Sequence, residues 1–213
     1  SSMNKYNVIT ILLDNSFNIE FINHLIKVYK PNFIISPNSI NFRNLNVIKK
    51  TRLKNYQILL IEKKFHKKLN FLNYLLLSTS GSTQNPKFVR LSKENISNNT
   101  KNIIKSLAIK KKQTTITTMP AGYSYGLSII NTHLKIGAKI VLNNHSVFER
   151  LFWNKIKKFK VNSFGGVPEF YNILKKIDFA KFITRHIKYL SQAGGKLNID
   201  TLKYFGNLSK NKK

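Results

Sequence analysis

The stretch LLLSTSGSTQNPKFVRL, from Leu75 to Leu91, constrains the fold of this chain more than any other part of it. The apolar run Leu75-Leu76-Leu77 is short enough for a buried strand. Hydroxyl side chains then crowd around one glycine: Ser78, Thr79, Ser80, Gly81, Ser82 and Thr83. Pro86 and Lys87 close the loop, and Val89 to Leu91 run on to Ser92, a residue type suited to cap the next helix. A loop of small residues wraps backbone N–H groups around an anion. The hydroxyls add donors, and Lys87 adds a point charge for a phosphate.

This is not the common phosphate loop of nucleotide-binding ATPases, which needs glycine before its lysine and serine or threonine after it. Here Pro86 precedes Lys87 and Phe88 follows. Nor does it read as a low-complexity Ser/Thr linker, because linkers rarely end in a fixed Pro-Lys and a strand-like run.

Strand and helix patterns alternate along the rest of the chain. Val8–Leu13 reads as a strand, followed by a helix capped by Asn15 or Ser16 and carrying Ile22, Leu25, Ile26 and Tyr29. Phe33–Ile35 reads as a second strand, so the first unit is expected to be strand–helix–strand in a parallel sheet. Residues 38–55 are polar and weakly periodic, and Tyr56–Ile61 is the next strand candidate. After Ser92 come a helix to Leu107, a β-branched strand at Thr114–Thr118, and a Pro/Gly loop that enters a helix through Leu127. Strands are expected at Lys139–Leu142, Val161–Phe164 and Ile187–Ser191, with helices between and after them. The fold class is therefore α/β, a layered sheet with flanking helices whose ligand sites belong at the carboxyl ends of the strands. Two regions are expected: an N-terminal strand–helix–strand subdomain over residues 1–70 and a loop-bearing α/β subdomain over 71–213.

Thr79 to Lys87 resembles the signature loop of the acyl-adenylate-forming synthetases and ligases, the AMP-binding superfamily. That pattern is roughly T-S-G-S-T-G-x-P-K, and eight of its nine positions are met, counting the free one. The departure is Gln84, where the family has glycine. Three later stretches resemble the same family in order: PAGYSYGLSIIN from Pro120 to Asn131, FGGVP from Phe164 to Pro168, and QAGGKL from Gln192 to Leu197. The resemblance implies a partial N-terminal domain of an adenylate-forming enzyme. It implies ATP and Mg2+, with Thr79, Ser80, Gly81, Ser82, Thr83 and Lys87 at the phosphates and Gly194 and Gly195 at the adenine. Tyr123, Tyr125 and Gly166 would face the acid, a small carboxylic acid activated for transfer to CoA or a carrier-protein thiol. Many members have a histidine where this chain has Tyr123 and Tyr125. The family's later Tyr-Gly-x-Thr-Glu segment, ribose-binding aspartate and lid lysine have no counterpart after Leu208. The chain therefore reads as a fragment, incomplete or inactive alone, with a separate chain carrying the C-terminal part as one expected partner. No catalytic residue and no metal ligand are singled out.

Charge admits an alternative. The formal net charge is +29, with 37 basic against 8 acidic residues, which suits a non-catalytic basic binding module for nucleic acid or a partner protein, built on a relic ATP loop. Against it, the lysines spread over nearly every segment, and lysine, asparagine and isoleucine rise together as in a codon bias. The lysines are therefore expected on solvated surface, with no specific nucleic-acid partner. There is no cysteine and no apolar run of spanning length, so the expectation is a cytoplasmic protein without a membrane span.

Overall fold

The computed structural model of the chain describes residues 8–14, 17–42, 45–62, 73–78, 87–182 and 186–210. Contacts divide it into two compact units, residues 15–71 and residues 1–14 together with 72–213.

The smaller unit holds helix α1 (Ile19–Tyr29) and strands β2 (Phe33–Pro37), β3 (Val47–Leu53) and β4 (Tyr56–Ile61). The cap of α1 is Asn18, whose side chain accepts from the Phe21 amide at 2.8 Å. The sheet order is β2-β4-β3, and both pairings are antiparallel. This corrects the expected parallel strand–helix–strand. β2 joins β4, while β1 (Thr10–Leu12) pairs in parallel with β5 (Asn73–Ser78) in the larger unit, Thr10 opposite Leu75. β3 lies within the stretch that looked merely polar. All seven of its residues are exposed, so it has no buried face to announce it. Its place comes from its ladder with β4, closed by Lys54 in the left-handed region at φ 50°.

The larger unit has two sheets. In the first, β5 lies between β1 and β6 (Phe88–Ser92), and β5 and β6 form an antiparallel hairpin with Ser78 opposite Phe88. Ser92 then caps helix α2 (Lys93–Ser106) in a reciprocal capping box with Asn95. The second sheet is parallel throughout, in the order β10-β9-β7-β8. It comprises β7 (Thr114–Ile116), β8 (Lys139–Val141), β9 (Ser163–Gly166) and β10 (Tyr189–Gln192). The helices between and after these strands are α3 (Ser124–Lys135), α4 (Arg150–Lys158), α5 (Pro168–Lys176) and α6 (Ile199–Lys210). Helix α3 starts one turn earlier than its apolar periodicity suggests, so Tyr125 and Gly126 belong to its first turn. Gly126 permits this: a β-carbon there would sit 2.8 Å from the Met119 carbonyl oxygen, in the loop that folds back on the helix.

The core is aromatic. Phe152, Trp153, Phe164, Tyr171 and Phe179 are buried together with Ile156, Val161 and Leu174. Phe179 belongs to a short 3-10 turn (Phe179–Lys181). Each such side chain contributes about 1.5–3 kcal/mol by leaving water. The Trp153 ring stacks on Phe182 at 4.4 Å, and its N–H donates to the Val147 carbonyl at 2.7 Å, so the one polar atom of the indole is satisfied. This cluster holds β9 against α4 and α5 and fixes where the strand's carboxyl end emerges.

Candidate active site

The carboxyl ends of β7, β9 and β10 meet in a small lattice of hydroxyls. Tyr125, in the first turn of α3, donates its phenol O–H toward the Ser191 carbonyl at 2.9 Å and also lies 2.9 Å from the Ser191 Oγ. Tyr171, from α5, donates to the same carbonyl at 2.6 Å. Thr118, just past β7, donates its hydroxyl to the Gly165 carbonyl. Three parallel strands and two helices are thus tied at one edge of the sheet, where an α/β fold places its ligands.

Two glycines make this packing possible. A β-carbon on Gly165 would lie 2.7 Å from the Ser191 Oγ and 3.0 Å from the Tyr125 Cζ. One on Gly166 would lie 2.7 Å from the Phe170 Cγ. Burial pushes the Tyr125 phenol above its ordinary range, against the opposing effect of its bonds to Ser191 and Gly166. Burial pushes Tyr171 up further, and the neighbouring Tyr125 adds to it. Both hydroxyls stay protonated near neutrality and serve as donors, not bases.

After β10 the chain turns through Gly194 at φ 87° and Gly195 at φ 153°. The Gln192 side-chain amide closes this turn by donating to the Gly195 carbonyl at 2.8 Å. The turn lies against the start of α5: a β-carbon on Gly194 would come within 3.1 Å of the Val167 Cγ1, and one on Gly195 within 3.3 Å of the Pro168 Cγ. Gly194 and Gly195 are exposed, leaving their backbone open beyond the end of β10.

The loop candidates divide. Thr79, Ser80, Gly81, Ser82 and Thr83 lie outside the described residues, as does Gln84. The strands that carry the loop are described: it joins β5 to β6 across a tight antiparallel pair. Lys87 is exposed at the foot of β6. Ser78, the last residue of β5, is buried, and its hydroxyl has no partner among the described residues. An unpaired buried hydroxyl at the head of a hydroxyl-rich loop is a donor in waiting.

Gly122 links the two sheets. A β-carbon there would stand 3.2 Å from the Asp14 amide nitrogen and 3.4 Å from the Leu13 carbonyl carbon, just past the end of β1. Since β1 runs parallel beside β5, the loop before α3 touches the same end of the first sheet from which the Thr79–Lys87 loop departs. Tyr123 caps α3 through its extended backbone and takes no part in the hydroxyl lattice, whereas Tyr125 is central to it. Ser191, Tyr171 and Thr118 were not foreseen as site residues, whereas Ser78 stood among the loop hydroxyls. Each of the first three reads locally as an ordinary strand, helix or loop residue, and only the packing brings them together.

A family profile described as AMP-binding enzyme matches residues 4–211 of this chain. The chain belongs to that family. Solved structures of similar fold include the inhibitor-bound N-terminal domain of FACL13 from Mycobacterium tuberculosis, at TM-score 0.58 and 17% identity, covering 70% of this chain and 37% of that one. O-succinylbenzoate CoA synthetase (MenE) from Bacillus subtilis, in complex with AMP, aligns at TM-score 0.55 and 21% identity over 63% of this chain and 27% of its own. McyG A-PCP, complexed with phenylalanyl-adenylate, aligns at TM-score 0.55 and 20% identity over 70% and 28%. No curated protein sequence matches the chain. The chain thus spans about a third of the length of the solved relatives. Its fold is that of the N-terminal domains of adenylate-forming enzymes, mixed α/β with sheets and flanking helices. Among the described residues no helix is long and apolar enough to cross a membrane.

Proposed function

We propose that this chain is part of an ATP-dependent, acid-activating ligase. The carrying observation is the family match over residues 4–211, together with a β5–β6 hairpin that frames the T-S-G-S-T…P-K loop. In the reaction, a carboxylate oxygen of the acid bonds to the α phosphorus of ATP, the bond to the β phosphate breaks, and pyrophosphate leaves with its electron pair. The sulfur of a thiol, that of CoA or a carrier protein, then bonds to the acyl carbon of the adenylate, the acyl–oxygen bond breaks, AMP leaves with its electron pair, and the thiol proton goes to solvent.

The chain's own groups supply positioning and charge. Thr79, Ser80, Gly81, Ser82 and Thr83 cradle the β and γ phosphates, Ser78 adds its hydroxyl, and Lys87 offsets the charge that develops on pyrophosphate. The Gly194–Gly195 backbone gives the adenine a flat surface that any side chain would roughen. Tyr125 and Gly166 border the acid, and Tyr123 stands at its entrance. The neutral Tyr125 and Tyr171 hydroxyls keep the β10 end rigid without competing for the acid's proton. Magnesium is a different matter: among the described residues no group of three His, Cys, Asp or Glu side chains could hold a metal ion, so no step is assigned to one.

Because the chain covers only about a third of the length of the solved relatives, we propose that this chain binds nucleotide and that completing the reaction takes further residues, in the same protein or in a separate chain. The test has two parts. Calorimetry with ATP is expected to show binding that non-hydrolysable analogues share and that Lys87→Ala weakens. Pyrophosphate exchange with a panel of carboxylic acids is expected to stay at background. Absence of any ATP binding would overturn the nucleotide-site reading, and acid-dependent exchange by this chain alone would overturn the incompleteness.

A further inference from the structure

The second sheet of the larger unit ends at β8, which pairs with β7 and with no other described strand. The Lys139 amide donates to Gln113 and the Val141 carbonyl accepts from Thr117, so both residues turn their backbone toward β7. In a ladder of that parity the residue between them, Ile140, turns its N–H and C=O to the open side. No described group bonds them. Beside this edge runs a groove of about 610 Å³, walled by β8 on one side and by the last turn of α4 on the other.

The groove has two chemistries. Its rim carries Lys139, Lys155, Lys158 and Lys160, and no carboxylate lines it. Its floor is apolar: Ile140, Leu142 and Phe159 line it, with Leu142 73% and Phe159 46% exposed. Lys155 donates to the Leu142 carbonyl at 3.1 Å, which ties α4 to the end of β8 and holds the groove's width. Lysines alone single out nothing on a surface this basic. What distinguishes this place is an unpaired strand edge next to exposed aliphatic side chains, with positive charge on both banks.

We infer that β8 is a docking edge for an extended acidic segment of a protein partner, in which Asp or Glu alternates with aliphatic residues. Such a segment adds a strand: its backbone pairs with Ile140, its aliphatic side chains cover Leu142 and Phe159, and its carboxylates meet the four lysines. Side chains on a strand alternate between faces, so an alternating sequence satisfies the apolar floor and the basic rim at once, and a blocked sequence of the same composition does not. Single-stranded nucleic acid fits less well, because stacking needs open aromatic faces. Phe159 is the groove's one aromatic ring, and the Lys158 ammonium already lies over it at 5.5 Å.

The test is fluorescence anisotropy with the whole chain and short labelled peptides in about 150 mM salt, where exposed charges more than about 8 Å apart are largely screened. One peptide alternates glutamate with valine and isoleucine; its isomer has the same residues with the aliphatic ones segregated. The alternating peptide is expected to bind about tenfold more tightly than its isomer. Lys158→Glu with Lys160→Glu should abolish that preference, while Lys93→Glu with Lys101→Glu, on α2, should preserve it. Hydrogen exchange at the Ile140 amide is expected to slow when the alternating peptide is bound. Equal affinity for the two isomers, or equal losses from the two double variants, would overturn the inference and leave only bulk charge. Single-stranded DNA that displaces the peptide and depends on Lys158 and Lys160 more strongly than the peptide does would overturn it in favour of nucleic acid.

Discussion

The hydroxyls of Tyr125 and Tyr171 share one acceptor, the carbonyl oxygen of Ser191, at 2.9 and 2.6 Å. One phenol comes from α3 and the other from α5, so the end of β10 is held from two sides. The arrangement predicts a small redundancy. Tyr171→Phe should cost about 1 kcal/mol, because the carbonyl keeps the Tyr125 hydroxyl. Changing both tyrosines to phenylalanine should cost more than the sum of the single changes, since the carbonyl then loses both partners. Urea unfolding of the three variants, followed through the fluorescence of Trp153, measures this. Strict additivity would mean that the two bonds do not act on one acceptor.

The same two phenols fix an alkaline limit. In the unfolded chain they ionise near pH 10, and in the folded chain burial keeps them protonated to higher pH. The folded state therefore binds more protons above about pH 10, and stability is lost as pH rises past that point. Stability measured between about pH 8 and pH 11 should fall less steeply in Tyr171→Phe than in the parent.

His133 gives the acid side. It is buried in α3, its Nδ1 lies 2.8 Å from the Ile129 carbonyl, and its Nε2 has no partner among the described residues. A proton on Nδ1 makes that first bond. Burial holds its pKa below the usual histidine range. The unfolded chain takes up a proton near pH 6.5 and the folded chain only at lower pH, so stability falls as pH drops below about 6.5, by at most about 1.4 kcal/mol per pH unit. His133→Leu should lower that slope in thermal melts. An unchanged slope would assign the pH dependence to other groups.

Two glycines should respond in opposite ways to alanine. Gly165→Ala places a β-carbon 2.7 Å from the Ser191 Oγ and should destabilise by about 1–3 kcal/mol. Gly206 sits inside α6, and a β-carbon there meets nothing within 4 Å. Gly206→Ala should stabilise by about 1 kcal/mol through helix propensity alone. Denaturation of the pair under one condition separates close packing at the candidate site from general tolerance.

Lys87→Ala should weaken ATP or pyrophosphate binding about tenfold or more, since a bond to a charged group contributes about 1.5–3 kcal/mol. Calorimetry at fixed salt is the measurement. Lys93→Ala, a few residues further on in α2, is the control for loss of one positive charge.

Much of this was legible along the chain. Ser92 announced α2, the alternation of strands and helices announced the α/β layering, and the Thr79–Lys87 loop announced the family. The failures have physical causes. β3 is exposed along its whole length, so periodicity had nothing to detect. β1 and β2 look like successive strands of one sheet, and only hydrogen bonding reveals that they belong to different ones. Ser191 and Tyr171 carry no motif: a serine at a strand end and a tyrosine on a helix acquire meaning from the third element, Tyr125, some fifty to seventy residues away in sequence.

The parallel pairing of β1 with β5 has a consequence for the order of assembly. Thr10 and Leu75 are about 65 residues apart, and the segment between them forms a unit of its own. During synthesis β1 emerges first and waits without its ladder, while α1 and the β2-β4-β3 sheet are free to close through short-range pairings. Collapse of that segment shortens the loop that β1 and β5 must close, and loop entropy grows only as the logarithm of length. Delay, more than lost stability, is therefore the toll of this topology. Weakening the small antiparallel sheet should accordingly slow the maturation of the larger unit.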